Sequence, residues 1–208
     1  MGDSEAAGEA PDAATVAALA RLASTAPPAA RTRPGGPRVI ALDGPSGAGK
    51  TTLARALAPA LGTAGAPAPV VRLEDFYPGW DGLDAVVPRL VEWVLEPLAA
   101  GRPVGFHRWD WDAGAWAEWH PVPVPPGTAA VLVDGVGSGA RACAPYLSLL
   151  VWADAPADVR YARAMARDGE GYRPHWDRWA AQEEAHFARE GTRARASVVV
   201  GEPVGRAR

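Results

Sequence analysis

IALDGPSGAGKTT, residues 40–52, is the most informative stretch of this 208-residue chain. Its residues 44–51 match the pattern G-x-x-x-x-G-K-[ST], and an apolar run that predicts a strand precedes them while a helical pattern follows. Glycines let such a loop turn its backbone N–H groups inward around a phosphate, and the helix N-terminus adds partial positive charge. The stretch therefore predicts a phosphate-binding loop. The residues expected to hold a nucleotide are Gly44, Ser46, Gly47, Ala48, Gly49, Lys50, Thr51 and Thr52.

Lys50 stands out against the composition of the chain. The sequence has 21 Lys and Arg residues, and Lys50 is the single lysine among them. An ammonium group on a flexible stem can follow the β- and γ-phosphates of a nucleotide, whereas a planar guanidinium is bulkier. A bias toward arginine that stops at this one position indicates a chemical requirement, so we expect Lys50 to take part in catalysis.

Length, charge and cysteine content narrow the class of protein. A net charge of −3 gives no general attraction to nucleic acid or acidic membranes, and no apolar run reaches transmembrane length. The single cysteine, Cys143, suits a reducing compartment. The N-terminus is acidic and lacks the apolar core of a signal peptide, so we expect a cytoplasmic protein. The oligomeric state is left open, a homodimer included.

Apolar runs alternate with helical patterns from Arg38 onward, which predicts an α/β fold with a parallel sheet covered by helices on both faces. Residues 1–37 are expected to be a flexible tail with a short helix at Thr15–Ala23, and residues 38–208 to be one domain. The expected strands are Val39–Leu42, Val70–Leu73, Val104–Phe106, Ala129–Val133, Leu149–Trp152 and Val198–Val200. The expected helices are Gly49–Leu61, Leu83–Leu98 with a regular start near Pro88, Ala157–Arg167 and His175–Glu190. The segment His107–Pro126 is expected to be irregular.

Two carboxylates follow predicted strands and are candidates for chemistry. Asp134 follows Ala129–Val133 and, with the Thr51 hydroxyl, is expected to hold Mg²⁺; the alternative is an ordinary strand-end aspartate. Asp75 follows the strand in VRLEDFY, residues 71–77, and is the candidate base for an attacking hydroxyl. The alternative for Asp75 is a helix-capping aspartate.

Three arginines of one predicted helix share a face. Arg160, Arg163 and Arg167 are spaced i, i+3 and i+7, just before residues 169–173. This pattern fits a mobile lid that neutralises a transferring phosphoryl group, although a solvated basic face has the same pattern.

Tryptophans crowd the stretch RWDWDAGAWAEWH, residues 108–120, which holds Trp109, Trp111, Trp116 and Trp119 of the nine in the chain. Each single tryptophan fits core packing, whereas the cluster as a whole favours at least one ring facing a flat ligand. The residues predicted to bind an acceptor are Tyr77, Trp80, Arg108, Trp109, Asp110, Trp111 and His120.

The motifs IALDGPSGAGKTT, LEDFY, Trp109-Asp110-Trp111, VLVDG and DVRxxRxxxRD occur in the order seen in the uridine kinase family of P-loop kinases. The chain resembles that family over about residues 38–200, and is especially similar to small actinobacterial uridine kinase-like ATP-binding proteins. The resemblance implies a P-loop NTPase fold with an NMP-kinase-like, five-stranded parallel sheet and a lid. It also implies that Asp75 activates a sugar hydroxyl, and that Arg160, Arg163, Arg167 and Arg173 belong to the lid.

The sequence departs from the family pattern on the acceptor side. Asp134-Gly135 replaces the usual Glu-Gly pair, and residues 170–173 read EGYR where the family has an Arg-Gly-Arg stretch. The tyrosine and histidine that enclose a pyrimidine have Trp109 and His120 as their nearest candidates. The acceptor therefore need not be uridine.

Three functions remain open from the sequence. The first is a nucleoside kinase that uses ATP and Mg²⁺, with GTP also open as the donor. The second is a kinase for another alcohol, such as a vitamin, a sugar or a nucleoside-type antibiotic. The third is a nucleotide-binding regulator with little turnover, which would have no need of Asp75 as a base.

Overall fold

A five-stranded parallel sheet forms the centre of the fold. The structure is a computed structural model, and it describes residues 11–63 and 65–201. The strands of the sheet lie in the order β2-β5-β1-β6-β7. They are β1 (Arg38–Asp43), β2 (Val70–Arg72), β5 (Ala130–Asp134), β6 (Leu149–Asp154) and β7 (Val198–Gly201), while β3 (Val104–Asp110) and β4 (Ala115–Val122) lie outside it. Its central strands are apolar and buried on both faces, as parallel strands require. The predicted parallel sheet is confirmed.

Helices cover both faces of the sheet, as predicted. They are α1 (Ala13–Thr25), α2 (Lys50–Ala60), α3 (Leu83–Arg89), α4 (Glu96–Ala100), α5 (Ala157–Asp168), α6 (Trp176–Glu190) and α7 (Thr192–Arg195). One core contains apolar residues of α1 and α2, and the other contains residues of α3, α4, α5 and α6. No helix of the described residues is long and apolar enough to cross a membrane.

The N-terminal helix is part of the packed domain. Asp12 caps it by accepting hydrogen bonds from the Thr15 amide and hydroxyl, and Leu19 and Ala23 are buried in the core that α1 shares with α2. Arg38 Nε reaches back to the carbonyl of Ala26 at 2.8 Å. The sequence predicted a flexible tail over residues 1–37 with a short helix at Thr15–Ala23. That helix is present as Ala13–Thr25 and it is packed against the domain, while residues 1–10 lie outside the described part.

Pro88 lies inside a helix that begins earlier than predicted. The helix α3 starts at Leu83, not near Pro88, and a π-helical segment, Leu90–Leu95, continues it into α4. Pro88 has no N–H for the preceding turn, and a wider π turn is a common adjustment within a helix. The helical periodicity was therefore a better guide to the helix start than the proline.

The tryptophan-rich segment forms a regular β-hairpin, so the prediction of an irregular segment was wrong. The strands β3 and β4 pair antiparallel, with the rings of Trp109 and Trp116 packed edge-to-face at 5.0 Å. Asp110 accepts hydrogen bonds from the amides of Asp112 and Ala113 at 2.9 Å, which closes the turn. Aromatic cross-strand pairs stabilise such a ribbon, and the many prolines and glycines nearby obscured the strand pattern.

Candidate active site

The phosphate-binding loop lies between β1 and α2, and α2 begins at Lys50. Gly44 and Gly47 both have positive φ, of 138° and 79°. A Cβ at Gly44 would collide with the carbonyl oxygen of Ala153, and one at Gly47 with the carbonyl oxygen of Arg160. Neighbouring backbone therefore fixes the shape of the loop, which explains why glycine occupies both positions.

Lys50 folds back over this loop. Its Nζ donates hydrogen bonds to the carbonyls of Gly44 at 2.7 Å and Pro45 at 2.9 Å, and the side chain is buried. Burial lowers the pKa of Lys50, while the carboxylates of Glu183, Asp134 and Asp43 act in the opposite direction. The ammonium is thus held at the loop among nearby carboxylates.

Thr51 and Asp134 lie together at the edge where the strands end. Asp134 closes β5, beside Leu42 of β1, and the Thr51 hydroxyl is near its carboxylate. Burial raises the pKa of Asp134, and its Oδ1 is buried without a hydrogen-bond partner. Mg²⁺ favours one or two carboxylates, a hydroxyl and phosphate oxygens. The pair fits that requirement, although the described residues include no cluster of three or more His, Cys, Asp or Glu side chains that could hold a metal by themselves.

Asp75 lies in a short 3-10 turn, Leu73–Asp75, directly after β2. It is partly exposed and accepts no hydrogen bond from the described residues. The next two side chains anchor the turn: Phe76 is fully buried, and the Tyr77 hydroxyl donates to the carbonyl of Val136 at 2.8 Å. Burial raises the pKa of Tyr77 well above its usual value, so Tyr77 serves as an anchor and not as a proton acceptor. Within residues 11–63 and 65–201, the carboxylate of Asp75 therefore caps no helix and is available at a fixed position.

Two of the predicted lid arginines reach the site. Arg160 NH1 donates to the carbonyl of Ser46 at 3.3 Å, so the start of α5 packs on the phosphate-binding loop. Arg167, near the end of α5, lies 3.7 Å from Glu74 at the end of β2. Arg163 is half-buried and makes no hydrogen bond within the described residues. Arg173 is exposed and pairs with Glu170 at 3.1 Å.

The predicted acceptor residues separate into two groups. Trp80 stacks on His175 at 4.2 Å and on Tyr172 at 5.3 Å, and its ring also contacts Trp111. These contacts join the β2–α3 connection, the hairpin and the segment after α5 into one aromatic cluster. Four others remain within the hairpin: Trp109 packs on Trp116, Asp110 closes the turn, Arg108 is exposed at a bulge, and exposed His120 lies against Phe106. Tyr77, also predicted to bind an acceptor, is in neither group, since it is the buried anchor described above.

Two buried carboxylates of the site were missed from the sequence. Asp43 accepts backbone hydrogen bonds from Gly44 at 2.7 Å, Gly137 at 3.1 Å and Gly139 at 2.9 Å, which ties β1 to the loop after β5. Burial raises the pKa of Asp43, against the effect of these hydrogen bonds and of Lys50. Its position at the end of a predicted strand, directly before the loop, was the sequence feature that could have indicated this role.

The second missed carboxylate, Glu183, accepts hydrogen bonds from the Ser46 amide at 2.9 Å, the Ser46 hydroxyl at 2.6 Å and the Trp179 indole at 2.8 Å. Its signal was a helical spacing: Trp176, Trp179 and Glu183 share one face of α6. A single acidic residue in an apolar stripe indicates a buried polar contact.

No protein-family model matches the chain, and no curated protein matches its sequence. Two solved structures are similar to it. A possible uridine kinase from Bacillus stearothermophilus aligns at a TM-score of 0.63 and 20% identity, covering 89% of this chain and 97% of that one. A candidate fructose transport system kinase from Silicibacter aligns at 0.59 and 21% identity, covering 89% and 98%. At these identities the likeness shows a shared fold, and it confirms the predicted P-loop fold class.

Proposed function

We propose that the protein is a kinase that transfers the γ-phosphate of ATP, with Mg²⁺, to a hydroxyl group of a small molecule. The main observation in support of this proposal is that three groups lie at the same edge of the sheet. These are Lys50 on the phosphate-binding loop, the Thr51–Asp134 pair and the carboxylate of Asp75, which has no partner in the described part of the chain. The solved structures of similar fold are described as kinases, which agrees with this proposal.

Each group has a distinct task in such a transfer. The loop amides and Lys50 hold the triphosphate, and Thr51 and Asp134 would hold Mg²⁺, which supplies positive charge against the phosphate oxygens. Asp75 accepts the proton of the acceptor hydroxyl while the hydroxyl oxygen forms a bond to the γ-phosphorus. The bond from that phosphorus to the β,γ-bridging oxygen breaks and ADP leaves. Arg160 and Arg167 offset the charge on the phosphoryl group in transit.

A nucleoside or nucleoside-like compound is our first choice of acceptor. The rings of Trp80, Trp111, Tyr172 and His175 form the aromatic cluster beside the site, and aromatic faces bind bases and other flat rings. The second choice is a kinase for a non-nucleoside alcohol. It is favoured by the position of Trp109 and His120, which pack within the hairpin, and by a structural relative described as a sugar transport kinase.

The test is phosphoryl transfer from ATP·Mg²⁺ to a panel of nucleosides, sugars and hydroxylated cofactors, followed by mass spectrometry of the acceptor. We expect a gain of one phosphate on at least one acceptor, with ADP as the other product. Lys50→Ala is the matched inactive control, because it removes the ammonium from the loop. Binding of ATP with no transfer to any acceptor would favour the nucleotide-binding regulator, and transfer by Lys50→Ala at the normal rate would contradict the role of the loop.

A further inference from the structure

Glu183 is engaged with the phosphate-binding loop itself. It lies on α6, is 3% exposed, and accepts hydrogen bonds at Oε1 from both the amide and the hydroxyl of Ser46. The Trp179 indole donates to the same oxygen, whereas Oε2 accepts no hydrogen bond from the described residues. Backbone N–H groups of such a loop are the donors that hold phosphate oxygens. A carboxylate therefore occupies a donor that an anionic ligand would use.

The charge of the same carboxylate also acts on Lys50. Among the charges that favour the protonated form of Lys50, that of Glu183 is the largest, ahead of Asp134 and Asp43. The lysine of this motif reaches the β- and γ-phosphates of a nucleotide. Glu183 thus accepts a hydrogen bond from a loop amide, and its charge favours the protonated form of the lysine that a terminal phosphate requires.

We propose that Glu183 competes with the terminal phosphate of the nucleotide for Ser46 and Lys50, so that its release from Ser46 is a step of triphosphate binding. The inference rests on the proposed function, since it takes the loop to be a triphosphate site. A carboxylate and a phosphate repel each other strongly where water is excluded, so one N–H group and one ammonium cannot serve both well. A nucleoside diphosphate, which lacks the γ-phosphate, competes less with Glu183.

The same helix reaches the acceptor side of the site. Gln182 Nε2 donates to the carbonyl of Trp80 at 2.7 Å, and Arg178 forms an ion pair with Asp81. The helix α6 therefore contacts the phosphate-binding loop through Glu183 and Trp179, and it contacts Trp80 and Asp81 through Gln182 and Arg178. Release of Glu183 would weaken the first attachment and leave the second, which links donor binding to the aromatic cluster.

The experiment compares ATP·Mg²⁺ and ADP·Mg²⁺ binding by calorimetry in the wild type, Glu183→Gln and Glu184→Gln. Glutamine keeps an oxygen for Ser46 and Trp179 but removes the charge, and Glu184 is an exposed neighbour on the same helix. We expect Glu183→Gln to bind ATP about tenfold more tightly and to change ADP binding by less than about threefold. Glu184→Gln should match the wild type for both nucleotides.

Two results separate the failure of this inference from the failure of the proposed function. Unchanged or weaker ATP binding by Glu183→Gln would overturn the inference alone, since Glu183 would then only support the loop. A wild-type protein that binds neither nucleotide would overturn the nucleotide site and the inference with it.

A second measurement needs no Glu183 variant. The Trp179 indole donates to Glu183 and to Ser46 Oγ at 3.1 Å, so its emission should report the release. ATP should change the tryptophan emission of the wild type more than ADP does, and Trp179→Phe should remove that difference. Equal changes with the two nucleotides would count against the inference.

Discussion

The guanidinium of Arg167 lies 3.7 Å from the carboxylate of Glu74, which links the end of α5 to the short turn that follows β2. A bidentate contact with Asp168 holds the same guanidinium and raises its pKa, to which the charge of Glu74 also contributes. The side chains of the pair are 46% and 60% exposed, so the pair contributes little to stability. Its importance is positional, because it keeps a cation at the edge of the sheet beside Asp75.

Replacement of that cation should impair turnover more than nucleotide binding. In Arg167→Gln we expect kcat to fall by roughly 10²–10³, because a charge aimed at the phosphoryl group in transit is lost. The affinity for ATP should change by less than about threefold. Steady-state kinetics and calorimetry measure the two quantities, and Arg21→Gln on α1 is the control. An unchanged kcat in Arg167→Gln would show that Arg167 only pairs with Glu74.

Asp75→Asn should remove the proton acceptor and leave the fold intact. Asp75 accepts no hydrogen bond from the described residues, so the midpoint of thermal unfolding should stay near that of the wild type. We expect kcat to fall by roughly 10²–10⁴ with ATP affinity unchanged. Glu184→Gln, an exposed carboxylate on α6, is the matched control. Full transfer by Asp75→Asn would show that another group, or none, takes the proton.

Thr51→Val should raise the demand for Mg²⁺. Valine keeps the shape of threonine but has no hydroxyl to ligate the ion beside Asp134. We expect the Mg²⁺ concentration for half-maximal activity to rise by about tenfold or more. Titration of activity with Mg²⁺ at saturating ATP measures this, with Thr63→Val at an exposed position as the control. The same Mg²⁺ dependence in Thr51→Val and the wild type would contradict the assigned metal site.

Asp43→Asn should destabilise the domain. The Asp43 carboxylate accepts three backbone N–H groups, from Gly44, Gly137 and Gly139, and an amide would turn an N–H₂ group toward at least one of them. We expect the free energy of unfolding to fall by about 2–4 kcal/mol, as measured by urea denaturation. A change below about 0.5 kcal/mol would mean that these hydrogen bonds are replaced at little cost.

Cys143 should be unreactive in the folded protein. Burial raises its pKa from 9.0 to about 12, so the thiolate fraction at pH 8 is about a thousandfold lower than in the unfolded chain. Because the folded pKa is the higher one, this group favours the folded state fully below pH 9.0, and the contribution is lost as the pH rises toward about 12. A thiol reagent at pH 8 should modify native protein far more slowly than urea-unfolded protein. Equal rates would show that Cys143 is accessible.

Local signals explain why most of the sheet and the phosphate-binding loop could be predicted. The strands are short apolar runs, and the loop follows from eight adjacent residues. The hairpin could not be predicted because its pairing joins residues such as His107 and Trp119, which are twelve positions apart in sequence. The role of Glu183 depends on Ser46, which is 137 residues away in the chain. A contact between residues so far apart in the chain is visible in the sequence at most as a polar residue within an apolar stripe.

The two glycines of the phosphate-binding loop have a consequence for the history of this sequence. Gly44 and Gly47 are required by the carbonyl oxygens of Ala153 and Arg160, whether or not a phosphate ever enters the loop. A descendant that lost phosphoryl transfer would therefore retain both glycines for as long as it kept this architecture. Decay of function would be visible first at Lys50, Thr51 and Asp75, whose identities the packing does not impose in this way. The two glycines therefore indicate descent from a protein with this loop, whereas Lys50, Thr51 and Asp75 indicate whether the chemistry has been kept.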